Sequence, residues 1–249
     1  MKILDDLLNS LPEGTLHEVR VGVFWTAVVV EVEGRRRCGL AATGHGNDEH
    51  HHGGGPAVRD AGRLMERTAR ELAGLARSDS PMEASIGMAA VNALLPPHAD
   101  LWVDVNAEEV IARHGAGQRV AVVGHFPFIP RLQEQVARLW VLELQPRGQD
   151  LPAESASEVI PQADVLAITG TTLINHTFED LMALRAPHAL VLVLGPSTPL
   201  SPVLFDHGVH LLSGAVVEDV DSVLRAASQA ANFRQVHHQG VRLVTMQPA

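Results

Sequence analysis

The chain of 249 residues holds one cysteine, Cys38, one lysine, Lys2, and no tyrosine. A single cysteine closes no internal disulfide and builds no thiolate cage, so any bound metal must be held by nitrogen and oxygen. With the only lysine at position 2, no loop can supply the lysine of a phosphate-binding P-loop. The cationic charge is arginine in all but that one residue, a bias that, with the missing tyrosine, reads as genome composition. Long apolar runs are also absent. The best candidates, Val21–Val30 with Thr26 inside it and Ala189–Leu194, fall short of the roughly 18 residues a membrane span needs. Asp5 and Asp6 interrupt Met1–Ser10, which therefore does not read as a signal peptide. A soluble, cytoplasmic protein with no membrane partner is expected. The net charge of -10 is spread evenly, 15 acids against 10 bases over residues 1–104 and 14 against 9 over residues 105–249. With no basic half or tail, nucleic acid is not an expected partner.

What is present is a well-supplied core and an excess of histidine. Hydrophobic residues make up 46% and charged residues 19%, enough to exclude disorder over most of the length. At roughly 150 residues per domain the length suggests two domains. Val19, Val21, Val23, Trp25, Ala27 and Val29 alternate, which predicts a strand over Leu16–Glu31; Glu33-Gly34 then turns the chain into a second strand, Arg36–Thr43, to complete a hairpin. Ala61, Leu64, Met65, Thr68, Leu72, Leu75 and Ala76 follow at helical spacing. Ser80-Pro81-Met82-Glu83 starts a second helix, running to about Leu94 before Pro96-Pro97.

The pattern then changes. Asn106 to Glu109 opens a short helix, and strands are expected at Arg119–Val123, Trp140–Leu144, Asp164–Ile168, Ala189–Leu194, Val209–Ser213 and Val241–Thr245. Helices near Phe128–Arg138, Leu173–Arg185 and Glu218–Asn232 separate them. Short continuous apolar strands with helices between them imply a parallel sheet covered on both faces. The predicted fold class is thus α/β: an α+β module over residues 1–104 and a Rossmann-like domain over residues 105–249.

Ligands of open parallel sheets bind beyond the carboxyl ends of the strands. Three loops there combine glycine with hydroxyl or imidazole groups. Gly124-His125-Phe126-Pro127 follows the first strand of the sheet, with glycine for close approach and an imidazole that can donate, accept or ligate. Thr169-Gly170-Thr171-Thr172, with Asn175 and His176 just beyond, could cradle an anion or carboxylate, although one Thr could equally be a plain helix cap. Gly195-Pro196-Ser197-Thr198-Pro199 presents hydroxyls on a stiffened backbone. Together these loops predict one ligand cleft, with His125 and His176 the histidines inside it. A second concentration of donors is His45, His50, His51 and His52, with Asp48 and Glu49 among them, residue types that suit a divalent transition metal. Glu143 lies 19 residues after Gly124, where a ribose-binding acid would sit, but Phe126 and Ile129 replace the second and third glycines of the dinucleotide fingerprint. No hydrolase nucleophile elbow and no His-Glu-x-x-His helix occurs, so no catalytic residue is singled out.

Ser85–Ala93, Gly124-His125-Phe126-Pro127, Asp164–Thr177 and the Gly-Pro-Ser-Thr-Pro loop at 195–199 together resemble the prokaryotic protein family named for putative heavy-metal chelation, over roughly residues 5–235. The resemblance implies an N-terminal module similar to the N-terminal domain of enolase, a C-terminal Rossmann-like domain and a site between them that handles metal ions or their chelators. It does not imply enolase chemistry. The expected function is the binding of a metal ion, metal chelate or small anionic ligand in a cleft between the domains. The alternative is an enzyme using a nucleotide-type cofactor such as S-adenosylmethionine, and assembly as a homo-oligomer stays open.

Overall fold

The computed structural model describes residues 1–45 and 56–248. The chain begins with helix α1 (Lys2–Asn9), whose Ile3, Leu4, Leu7 and Leu8 form one buried stripe. Three strands follow, β1 (Thr15–Val21), β2 (Trp25–Val32) and β3 (Arg35–Ala42), in an antiparallel sheet of order β1-β2-β3. The expected two-stranded hairpin is therefore three-stranded. Its supposed first strand breaks at Gly22, whose N–H donates to the Trp25 carbonyl at 2.9 Å. Alternation misleads there because β2 is the central strand: Trp25 to Val30 are all buried, one face of the strand against α1 and α3 and the other against later helices.

The helix expected over 61–76 is also broken. A 3-10 turn at Leu64–Glu66 gives way to α2 (Ala69–Gly74), which restarts where the Thr68 hydroxyl accepts from Glu71 N–H and Glu71 reaches back to the Thr68 N–H. Helix α3 (Pro81–Leu94) runs as its sequence predicts, with the Ser80 side chain accepting from Glu83 N–H. Gly87 is the close-approach point, since a Cβ there would lie 1.9 Å from the Ala76 nitrogen.

The remaining elements are β4 (Trp102–Val103), α4 (Ala107–Gly115), β5 (Arg119–Val123), α5 (Ile129–Gln133), β6 (Arg138–Glu143), β7 (Leu151–Pro152), α6 (Ala156–Val159), β8 (Val165–Thr169), α7 (Phe178–Ala183), β9 (Leu190–Leu194), α8 (Val203–Asp206), β10 (Leu211–Val217), α9 (Val220–Ser228), α10 (Phe233–His237) and β11 (Val241–Met246). They build an eight-stranded sheet of order β4-β11-β10-β9-β8-β5-β6-β7. Strands β5 to β10 are parallel, whereas β11 and β4 are added antiparallel at one edge. Trp102 already pairs with Met246, so the chain enters the larger sheet before residue 105.

The two sheets share apolar cores. One joins Ile3, Leu4, Val28, Leu72 and Met88 to Leu166, Ile168, Val191 and Leu212. A second packs Trp25, Val29, Cys38 and Leu40 on Val223, Leu224, Ala227 and Val236 of α9 and α10. A third, between α4, α5 and the far face of the large sheet, contains Ile111, Val122, Leu132 and Leu192. Among the described residues no helix is long and apolar enough to cross a membrane.

Candidate functional site

From β5 the sheet grows through β6 and β7 in one direction and through β8, β9 and β10 in the other. The carboxyl ends of β5 and β8 therefore diverge at a topological switch point, where open α/β sheets leave a crevice. A cavity of about 370 Å³ lies there, lined among others by Gly124, His125, Phe126, Glu143, Thr171 and Asn175.

Gly124 leaves β5 at φ +106°, with its N–H on the Leu142 carbonyl at 2.9 Å. A Cβ there would meet Thr169 at 3.1 Å, so glycine lets the β5 and β8 loops approach. Glu143, at the end of β6, accepts the His125 N–H at 2.7 Å on one carboxylate oxygen and the Leu144 N–H at 3.0 Å on the other. The His125 ring is thereby placed at the mouth of the cavity, with its Nδ1 at 2.9 Å from a carboxylate oxygen of Asp150. A carboxylate can only accept, so Nδ1 carries the proton, and in the neutral tautomer this selects, Nε2 keeps its lone pair. The Asp150 side chain is only 5% exposed and that of His125 41%, so the orienting partner is anchored while the imidazole meets solvent.

On the opposite lip, Thr169 caps the turn that follows β8: its hydroxyl accepts from Thr171 N–H and lies 3.1 Å from the Thr171 hydroxyl. Thr172 is buried and donates its hydroxyl to the Thr169 carbonyl at 2.7 Å, which makes it structural. Gly170 packs on the 195–199 loop, a Cβ there lying 2.7 Å from the Thr198 nitrogen. Asn175 Oδ1 accepts from Thr177 N–H and hydroxyl, and its amide nitrogen has no hydrogen-bond partner among the described residues. Thr171 and Asn175 are thus the two polar groups of this loop able to serve a ligand. Among the described residues no Arg or Lys lines the cavity; Glu143 and Asp180 do, with Leu142, Leu144, Leu181 and Leu184 as apolar wall.

The third loop does not join this cavity. Gly195 and Pro196 line a different, largely apolar one of about 320 Å³, with Pro127, Phe233 and the stacked rings of Phe126 and Phe128. Ser197 and Thr198 are both buried. The Ser197 hydroxyl accepts from Ala42 N–H of β3 at 2.9 Å, and its carbonyl from Asn92 Nδ2 of α3 at 3.3 Å. The Ser197 hydroxyl, which looks like a ligand group in sequence, is a joint between the two sheets, because an outer strand needs a partner for its free N–H. His176 is likewise structural: at φ +63° its Nε2 lies 2.8 Å from the Ala76 carbonyl. His45 is exposed with Nε2 2.8 Å from the Val23 carbonyl, while His50, His51 and His52 lie outside the described residues. Among the described residues no three His, Cys, Asp or Glu side chains gather as a metal cage.

Sequence reasoning missed Asp150, 25 residues from His125 with no motif between them, and Asp180, which resembles any first-turn helix acid. Glu143 was legible as an acid ending the second strand, but it binds backbone N–H groups of its own chain. The buried Cys38 thiol is pushed up to about 12 by desolvation, so it is no nucleophile.

Comparison with known proteins agrees with this architecture. Over 213 residues, 80% of this chain and 78% of the relative, the sequence is 26% identical to an uncharacterised protein of Methanocaldococcus jannaschii. The crystal structure of a DUF364-family protein of unknown function from Desulfitobacterium hafniense superimposes with a TM-score of 0.84 at 25% identity, over 99% of this chain and 98% of that one. A second DUF364-family structure, from Pyrococcus horikoshii, has a TM-score of 0.80 at 19% identity with the same coverage and speaks for the fold alone. Residues 4–95 match the DUF4213 model and residues 106–246 the DUF364 model, both described as "Putative heavy-metal chelation", and the chain belongs to this family.

Proposed function

We propose that the protein binds a chelated metal ion in the switch-point cavity, with His125 Nε2 completing the metal's coordination. The observation that carries this reading is the His125–Asp150 pair at 2.9 Å, the carboxylate-oriented imidazole that metal ligands use. A chelate arrives with most of its donors, so it asks for one or two from the protein rather than a cage. Thr171 and the Asn175 amide would hold the chelator's oxygens across the cavity. Glu143 and Asp180, with no cation in the lining, favour a ligand with a positive centre over a free anion. Every lining residue falls between Val123 and Leu184, so this site belongs to the larger sheet rather than to a cleft between two domains. The nucleotide-cofactor reading is weaker, because both Glu143 oxygens are engaged by backbone N–H groups instead of being free for a ribose. We also propose residues 1–104 and 105–249 as evolutionary units, supported by the two family models that meet between 95 and 106.

The test is calorimetric titration with Ni(II)–nitrilotriacetate, a chelate with open coordination positions, against tag-free protein in which His45, His50, His51 and His52 are Ala. Saturable one-to-one binding that falls about tenfold or more in His125→Ala is expected. Equal binding by both proteins overturns the proposal.

A further inference from the structure

A second cavity, about 270 Å³, opens between the two sheets. Its walls are the start of β3 (Arg35 to Cys38), the end of α3 (Asn92, Ala93) with Pro96-Pro97, Trp102 of β4, Thr198, and Ala215 to Val217 of β10. This is the inter-module cleft, and its chemistry is the reverse of the switch-point cavity: three arginines and, among the described residues, no acid line it. Arg36 is shared with Asp221 at 3.1 Å, and Arg37 donates to the Leu95 carbonyl at 3.3 Å, whereas Arg35 forms no ion pair with a described residue. Four buried side-chain polar atoms lack a partner among the described residues, and three of them, Asn92 Oδ1, Trp102 Nε1 and Thr198 Oγ1, belong to residues lining this one cavity. Buried donors and acceptors without partners are costly, and their gathering in one place marks a place built for a ligand.

We propose that this cleft binds a small hydroxycarboxylate. The planar forks of Arg35 and Arg37 match carboxylates with paired N–H donors, and the Trp102 indole N–H adds one more. Asn92 Oδ1 can only accept, because its Nδ2 is already held by the Leu40 carbonyl at 2.8 Å and the Ser197 carbonyl at 3.3 Å. The ligand must therefore bring a donor of its own, which a hydroxyl supplies and an ionised simple carboxylate does not. The volume, about nine times the ~30 Å³ share of a liquid water, suits a di- or tricarboxylate. Bound there, the ligand touches both sheets and would tighten their joint.

The experiment is calorimetric titration of the metal-free protein at low ionic strength with citrate, with tricarballylate, which is citrate without its hydroxyl, and with inorganic phosphate. Citrate is expected to bind saturably and about tenfold or more tighter than either of the others. The Arg35→Met/Arg37→Met double variant should lose about tenfold or more of that affinity, and Trp102→Phe, which removes the indole N–H together with its five-membered ring, several-fold, each with an unchanged circular dichroism spectrum. No saturable heat with millimolar citrate, equal binding of citrate and tricarballylate, or full affinity in Trp102→Phe would each overturn the proposal.

Discussion

The switch-point cavity and the inter-module cleft lie in one molecule of net charge -10, yet they present opposite chemistry. The first is walled by leucines and carries His125, Glu143 and Asp180 without a cation. The second carries three arginines and no acid among the described residues. The contrast follows from how each is made. A switch-point crevice is produced by one sheet diverging, so its polar groups come from loops that also satisfy their own backbone. The cleft is produced by two sheets that meet, and side chains from four separate elements are left facing one another.

The largest effect that would break the comparison is a substitution at the shared core. Gly87→Val places a Cβ against backbone of the 75–77 turn, and a loss of at least about 3 kcal/mol is expected in urea unfolding. If both sheets rest on the same core, fluorescence of Trp25 and Trp140 will report one coincident transition; two separate transitions would show that the sheets melt independently. Next, Asp150→Asn should weaken Ni(II)–nitrilotriacetate binding by about 10–100-fold without altering citrate binding in the cleft. A parallel loss in both titrations would mean that the two cavities are coupled.

Acid should weaken the module of the smaller sheet. Glu83, at the start of α3, is buried against the N–H and guanidinium of Arg59 and the Ser78 hydroxyl, and these bonds, above all the one to Arg59, hold its carboxyl down to about 2 from an ordinary 4.5. A depressed folded-state value means stability that is complete above about pH 4.5 and lost as the pH falls toward about 2. Because Arg59 is exposed, the loss is of the order of 1–2 kcal/mol, and Glu83→Gln should flatten that part of the pH–stability curve. The smallest effect is at Cys38: with its thiol pushed up to about 12, native protein at pH 8 should resist N-ethylmaleimide, and only denatured protein should be labelled.

Elements whose signals are local were legible before folding. Ser80 and Pro81 mark the start of α3, Asn106 the start of α4, and the apolar runs of β5, β8 and β9 coincide with strands because both faces of those strands are buried. The first sheet was less legible, since β2 is buried on both faces and its valines suit several strand phases. In the site, glycine and its neighbours pointed to Gly124, His125 and Thr171. Ser197 and Thr198 carried the same kind of signal and yet are buried at the joint.

By itself, the sequence determined the class of the fold, the absence of a thiolate or disulfide framework, and the loops that end the parallel strands, because periodicity, capping and composition act over a few residues. Only the tertiary structure decided which polar groups stay free. It set Asp150 behind His125, used the Thr172 and Ser197 hydroxyls on backbone groups, and brought Arg35, Asn92 and Trp102 to one cleft. A hydrogen bond consumes a group whatever its position in the chain, and the partner that consumes it is chosen by packing between elements far apart in sequence.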